Sequence, residues 1–82
     1  MRVDKFLKVS RIIKRRALAA QACDAGKVSV NGKVSKPSVT VKEGDVIELT
    51  LGDKTRKFEV LTLKESTRKE DSITMYKVVD HV

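Results

Sequence analysis

At 82 residues, 40% of them hydrophobic and 35% charged, the chain suits one modest core under a highly charged surface, which excludes both a disordered chain and a two-core protein. A formal net charge of +7 favours a polyanionic partner. The lone cysteine excludes an internal disulfide, and nowhere do ~18 consecutive apolar residues of a spanning helix occur.

The charge is local. Residues 1–16 carry seven Lys/Arg against one acid, whereas the remaining 66 carry eleven against ten, so a binding surface is expected in the first fifth of the chain. Within it, Val3, Phe6 and Leu7 recur at i, i+3 and i+4 and predict a first helix with one apolar stripe. That helix should end between Val9 and Ile13, with Ile12 and Ile13 tucked under the turn and Ser10, Arg11 and Lys14 outside. Arg16 to Ala25 is built from good helix formers and predicts a second helix. Its Leu18, Ala22 and Ala25 share a face at i, i+4 and i+7, which would pack on Phe6 and Leu7. Gly26 stands where a helix needs a left-handed residue to end.

Val28, Ser29 and Val30 alternate, Asn31-Gly32 predicts a type I′ hairpin turn, and Lys33 with Val34 begins the return strand. Lys36-Pro37-Ser38 breaks that strand, since proline donates no ladder hydrogen bond. Val39 and Val41 alternate again up to a turn at Glu43-Gly44-Asp45. Val46 to Leu51 predicts a strand with Ile47, Leu49 and Leu51 on one face, joined through a two-residue Gly52-Asp53 turn to a partner over Thr55 to Leu63. On that partner Phe58, Val60 and Thr62 share a face. Lys64 to Ser72 reads as a polar loop, Ile73 to Val79 as a closing strand, and Asp80-His81-Val82 as a loose tail. The pattern is α+β: two helices on one side of a small, twisted, mainly antiparallel sheet of about five strands.

An Arg15-Arg16 pair at the start of a helix sets guanidinium forks beside unpaired backbone N–H groups and the positive end of the helix dipole, a combination that attracts phosphate. Lys8, Arg11, Lys14, Arg15 and Arg16 form a candidate RNA-contact cluster, against the plainer reading of a solvated charged face. Aromatic residues do not interleave with these cations, which points to recognition of RNA shape through its backbone rather than to base stacking. Asp4, the only acid in the basic segment, either stabilises the first helical turn by pairing locally or orients Arg16 toward RNA. Cys23 reads as a small buried side chain. Cys23 and His81 lie far apart, Glu70-Asp71 falls in a polar stretch, and no metal-ligand or cofactor motif occurs, so no enzyme, cofactor or metal site is expected.

In their order and spacing these residues resemble the RNA-binding domain named after small-subunit ribosomal protein S-four, whose helix-turn-helix and hairpin make up the αL motif. The matching marks are Val3-Asp4 opening the first helix, Arg16 heading the second, Gly26, Val28, Val30-Asn31-Gly32, Pro37-Ser38, Val41 and Gly44-Asp45. The resemblance covers roughly residues 2–49, with C-terminal strands over 55–79 completing one domain across residues 1–82. Where the family often has a Ser or Thr cap, Arg15 stands and cannot accept a backbone N–H. An RNA-contact role carries over to Arg2, Lys5, Lys8, Arg11, Lys14, Arg15 and Arg16, and by position in the hairpin to Lys33 and Lys36.

Within the family, the opening Met-Arg-Val-Asp-Lys-Phe-Leu and the Lys-Arg-Arg-Ala-Leu-Ala resemble stand-alone proteins that bind large ribosomal subunits. One group is the small ribosomal heat-shock proteins, which bind large subunits still carrying a peptidyl-tRNA. The other is the short RqcP-type factors of bacterial ribosome quality control. The heat-shock group usually carries a longer basic C-terminal extension and this chain stops at Val82, so the RqcP type is the expectation. The resemblance then implies a cytoplasmic monomer with no membrane contact. It would bind 23S rRNA of the large (50S) subunit next to a stalled peptidyl-tRNA and support RqcH-dependent alanine tailing. The alternatives are heat-shock-type recycling of such subunits and, in another class, a protein-interaction module that regulates an enzyme through a sheet patch around Val60, Thr62 and Tyr76.

Overall fold

Val3, Phe6 and Leu7 are fully buried along one face of α1 (Val3–Val9), as their spacing requires. The computed structural model describes residues 1–64 and 74–79. The first N–H groups of α1, which no helix can satisfy internally, go to the segment after the hairpin: Val3 donates to the Val39 carbonyl at 2.7 Å and Asp4 to that of Pro37 at 3.4 Å. With Val41 N–H donating to Met1 at 2.8 Å, residues 39–41 are tied to the start of the chain. They form one bridge, Arg2 to Thr40, rather than a strand.

At its other end α1 closes on a left-handed residue that is not glycine, Arg11 with φ 65°. Ile13 N–H then returns to the Leu7 carbonyl at 3.0 Å, which places Ile12 and Ile13 half-buried against the core. Ser10 was expected outside and is buried, because its hydroxyl finds the Leu7 carbonyl at 3.3 Å at the helix end.

In α2 (Arg16–Asp24) the buried positions are Ala19 and Cys23, not Leu18, Ala22 and Ala25. Small side chains at i and i+4 let α2 lie close to α1, and Leu18, one residue earlier and about 100° around the helix, is left 48% exposed. The helix ends in a Schellman motif: Gly26 at φ 76° donates to the Cys23 carbonyl at 3.0 Å, and Lys27 to Ala22 at 2.9 Å.

The strands are β1 (Val28–Val30), β2 (Lys33–Val34), β3 (Val46–Leu51), β4 (Lys54–Val60) and β5 (Tyr76–Val78). They stand in the order β2-β1-β3-β4-β5 with every neighbour antiparallel. Positive φ at both Asn31 and Gly32 gives the type I′ turn, while Gly52 alone is positive in the second hairpin, as a type II′ turn requires. The register aligns Val28 with Leu49, and Ile47 with Val30 and Phe58, building one apolar face under the helices. Leu51 shares that side of the sheet but lies beyond the cover of the core, 56% exposed.

Strand β4 stops at Val60 rather than Leu63, and the N–H groups of Leu61 and Thr62 converge on the Met75 carbonyl. The face around Val60, Thr62 and Tyr76 is not an open patch. Val60 is buried, and Tyr76 is half-buried with its ring edge-to-face on Phe58 at 5.3 Å. The expected polar loop beyond Lys64, the start of the closing strand at Ile73 and the tail Asp80-His81-Val82 lie outside the described residues. Among those described, no helix is long and apolar enough to cross a membrane.

Candidate nucleic-acid interface

The site is organised by a buried carboxylate. Asp4, in the first turn of α1, accepts the Lys5 N–H on Oδ1 at 2.7 Å and Arg2 Nη2 on Oδ2 at 3.2 Å. From the first residue of α2, Arg16 reaches the same carboxylate with Nε 3.4 Å from Oδ2 and Nη2 3.5 Å from Oδ1. The Asp4 carboxylate thus pairs locally in the first turn of α1 and also holds Arg16. The arginine side chains are 50% and 47% exposed, so water screens the pairs and their net stabilisation is small. Their consequence is geometric. A guanidinium carries five N–H donors, so Arg2 and Arg16 are held in place by some and present others to solvent, where a planar fork can take two oxygens of one phosphate.

Around this centre the cations come from one continuous stretch. Lys8 closes the last turn of α1, Arg11 occupies the left-handed position, and Lys14 and Arg15 follow, all exposed. Arg15 is the N-cap of α2 in extended conformation with no side-chain capping bond, as its chemistry dictates. Lys5 is half-buried. Lys36 neighbours Pro37, whose carbonyl takes the Asp4 N–H, so the hairpin's return passes beside the start of α1. Lys33, exposed on β2, is held at the hairpin tip and no contact joins it to the Asp4 centre.

Sequence reasoning missed the tie that positions the hairpin. Asn31 donates from Nδ2 to Asp45 Oδ1 at 3.1 Å and accepts the Val46 N–H on Oδ1 at 3.0 Å, while Asp45 Oδ2 takes the Lys42 N–H at 2.9 Å. One turn residue thus clamps the hairpin to the entrance of β3. The signal available was the pairing of Asn31-Gly32 with Gly44-Asp45 across the intervening chain.

Cys23 is buried, and burial pushes its thiol above the ordinary value, with the Ser35 hydroxyl pulling the other way and the Asp4 and Asp24 charges adding to the rise. Such a thiol is a poor nucleophile. Among the described residues no group of three His, Cys, Asp or Glu side chains could hold a metal ion. What the arrangement can do is engage phosphates along a folded polyanion.

Residues 1–47 match the S4 domain, and the chain is an S4 domain protein. It is 50% identical over 78 residues to the RQC P-site tRNA stabilizing factor of Halalkalibacterium halodurans, covering 95% of this chain and 89% of that protein. Within the S4 proteins the chain belongs to the family of RQC P-site tRNA stabilizing factors. It is also 37% identical over 68 residues to a Heat shock protein 15 homolog of Aeromonas salmonicida, spanning 83% of this chain and 52% of that one. The fold superposes on the trimeric structure of Vibrio cholerae Heat Shock Protein 15 with a TM-score of 0.88 at 30% identity, covering 96% and 81% of the two chains.

Proposed function

We propose that this protein binds 23S rRNA of the large ribosomal subunit beside a peptidyl-tRNA and holds that tRNA in place while RqcH extends the stalled chain with alanine. The observation that carries the reading is the Arg2–Asp4–Arg16 centre, in which one buried carboxylate gathers the guanidinium forks of the α1 N-cap and of the first residue of α2. The relatives named as P-site tRNA stabilizing factors support the tRNA part of the proposal. Phosphate neutralisation supplies affinity and the fold of the RNA supplies selectivity. The protein acts in the cytoplasm as a monomer, by holding a conformation and not by catalysing a reaction.

Recycling of large subunits is the second reading, favoured by the close superposition on Heat Shock Protein 15. Sedimentation of tagged protein from gently lysed cells tests the shared step. Wild-type protein should travel with free large subunits, and Arg16→Glu should lose at least ~90% of that co-migration, since it inverts a charge at a phosphate contact. Unchanged co-migration of Arg16→Glu rejects the interface. In a deletion strain, loss of alanine tails supports the tailing role; persistence of tails with accumulation of peptidyl-tRNA on large subunits favours recycling.

A further inference from the structure

On the flank of α2 turned away from Arg16, Leu18, Ala22 and Ala25 join Ile12 and Ile13 from the loop after α1 and Leu51 from the end of β3 around an open groove of about 540 Å³. These three α2 positions lie roughly 180–240° around the helix from Arg16. The lining is apolar apart from Gln21 and Lys27. It holds two of the five large hydrophobic side chains exposed among the described residues, Leu18 and Leu51. Isolated exposed leucines need no explanation, but two that face one groove with two isoleucines form a contiguous apolar surface.

The rim is cationic. Lys54 stands directly across the β3–β4 pair from Leu51, and Arg56, opposite Leu49, is on the same side of the sheet. Lys27 closes the groove's base, where its carbonyl receives the Thr50 N–H at 2.8 Å. Among the described residues, the acids nearest these cations in sequence are Asp24 on α2 and Asp53 in the β3–β4 turn, two against Lys27, Lys54 and Arg56.

We propose that this groove docks an acidic segment of another protein, an amphipathic helix whose aliphatic anchors enter the groove while Asp and Glu residues meet Lys27 and Lys54. Aliphatic lining with no aromatic ring offers a nucleobase nothing to stack on, and a second copy of this +7 chain would bring cations to cations. Anchors at i, i+3, i+4 and i+7 on an acidic helix match both the lining and the rim. Because the groove and the Arg16 centre lie on opposite flanks of α2, the protein can hold RNA and a protein partner at once.

The test is a titration of the isotope-labelled full chain, followed by amide NMR, with a synthetic helical peptide of about 16 residues carrying Leu at those spacings and Glu at the remaining exposed positions. Shifts should concentrate in residues 12–13, 18–25 and 51, and added salt should weaken binding. Leu18→Asp and Leu51→Asp, both at half-exposed positions and each checked for a dispersed spectrum, should each weaken binding at least ~10-fold, and Arg16→Ala should leave it unchanged. The proposal is overturned if the groove amides do not shift, or if a peptide with Lys in place of Glu binds equally well. It is also overturned if the groove responds instead to single-stranded oligouridine, or to rising concentration of the protein alone.

Discussion

Asn31 shows how much one side chain can carry. Its backbone takes φ 51° in the hairpin turn while its amide bridges Asp45 and the Val46 N–H. Replacement by alanine forces a Cβ-bearing residue without a local hydrogen bond into the left-handed region and removes both bonds, leaving the buried Asp45 with only the Lys42 N–H among these partners. Asn31→Ala is expected to cost about 3–4 kcal/mol, about 1–2 from the backbone and about 1 for each of the two hydrogen bonds. Asn31→Gly tolerates the positive φ and isolates the side-chain share, so urea unfolding of both variants separates the terms. A glycine variant as stable as wild type shows that the clamp contributes nothing. The turn itself was legible from the Asn-Gly dipeptide, because its chemistry is local. The clamp was not, since its partners are distant in sequence and only the β1–β3 register brings them together.

At the scale of elements, the helix limits, the succession of strands along the chain and both hairpin turns followed from periodicity, glycine and proline, while the order of the strands within the sheet did not. Nor did the buried face of α2. Reading the largest apolar residue as the core residue selected Leu18, but the close approach of α1 and α2 favours the smallest side chains, and Ala19 and Cys23 occupy the contact. Volume, not hydrophobicity, decides at such a helix crossing. Two substitutions check this assignment by thermal unfolding. Leu18→Ala should change stability by less than about 1 kcal/mol, given its exposure. Ala19→Leu, adding three methylene-sized groups at a position with no accessible surface, should cost about 1–3 kcal/mol and lower Tm by several degrees. The opposite ranking would return Leu18 to the core and close the groove beside it.

Over the whole molecule, charge separates by surface. The outer face of the sheet neutralises itself: Glu48 lies opposite Lys57 with 3.8 Å between Oε1 and Nζ, and Glu59 lies opposite Lys77. The start of the chain does the reverse. Seven cations share residues 1–16 with a single acid, and that acid is spent on holding Arg2 and Arg16. This division was legible in the sequence as a count, while the placement of both arginines on one carboxylate needed the packing of α1 against α2. It also fixes the salt dependence of RNA binding. Each phosphate neutralised contributes about −0.7 to −0.9 to the slope of log K against log salt. If Arg2, Lys8, Arg11, Lys14, Arg15 and Arg16 all meet phosphates, the slope for a structured rRNA fragment should be about −4 to −5. Replacing Lys14 and Arg15 together by alanine should make it shallower by about 1.4–1.8, and replacing Lys57 and Lys77 should leave it unchanged. Fluorescence anisotropy at several salt concentrations reads all three slopes. Equal effects from the two pairs would mean that RNA senses the net charge of the protein, and the helical surface would lose its claim to be the interface.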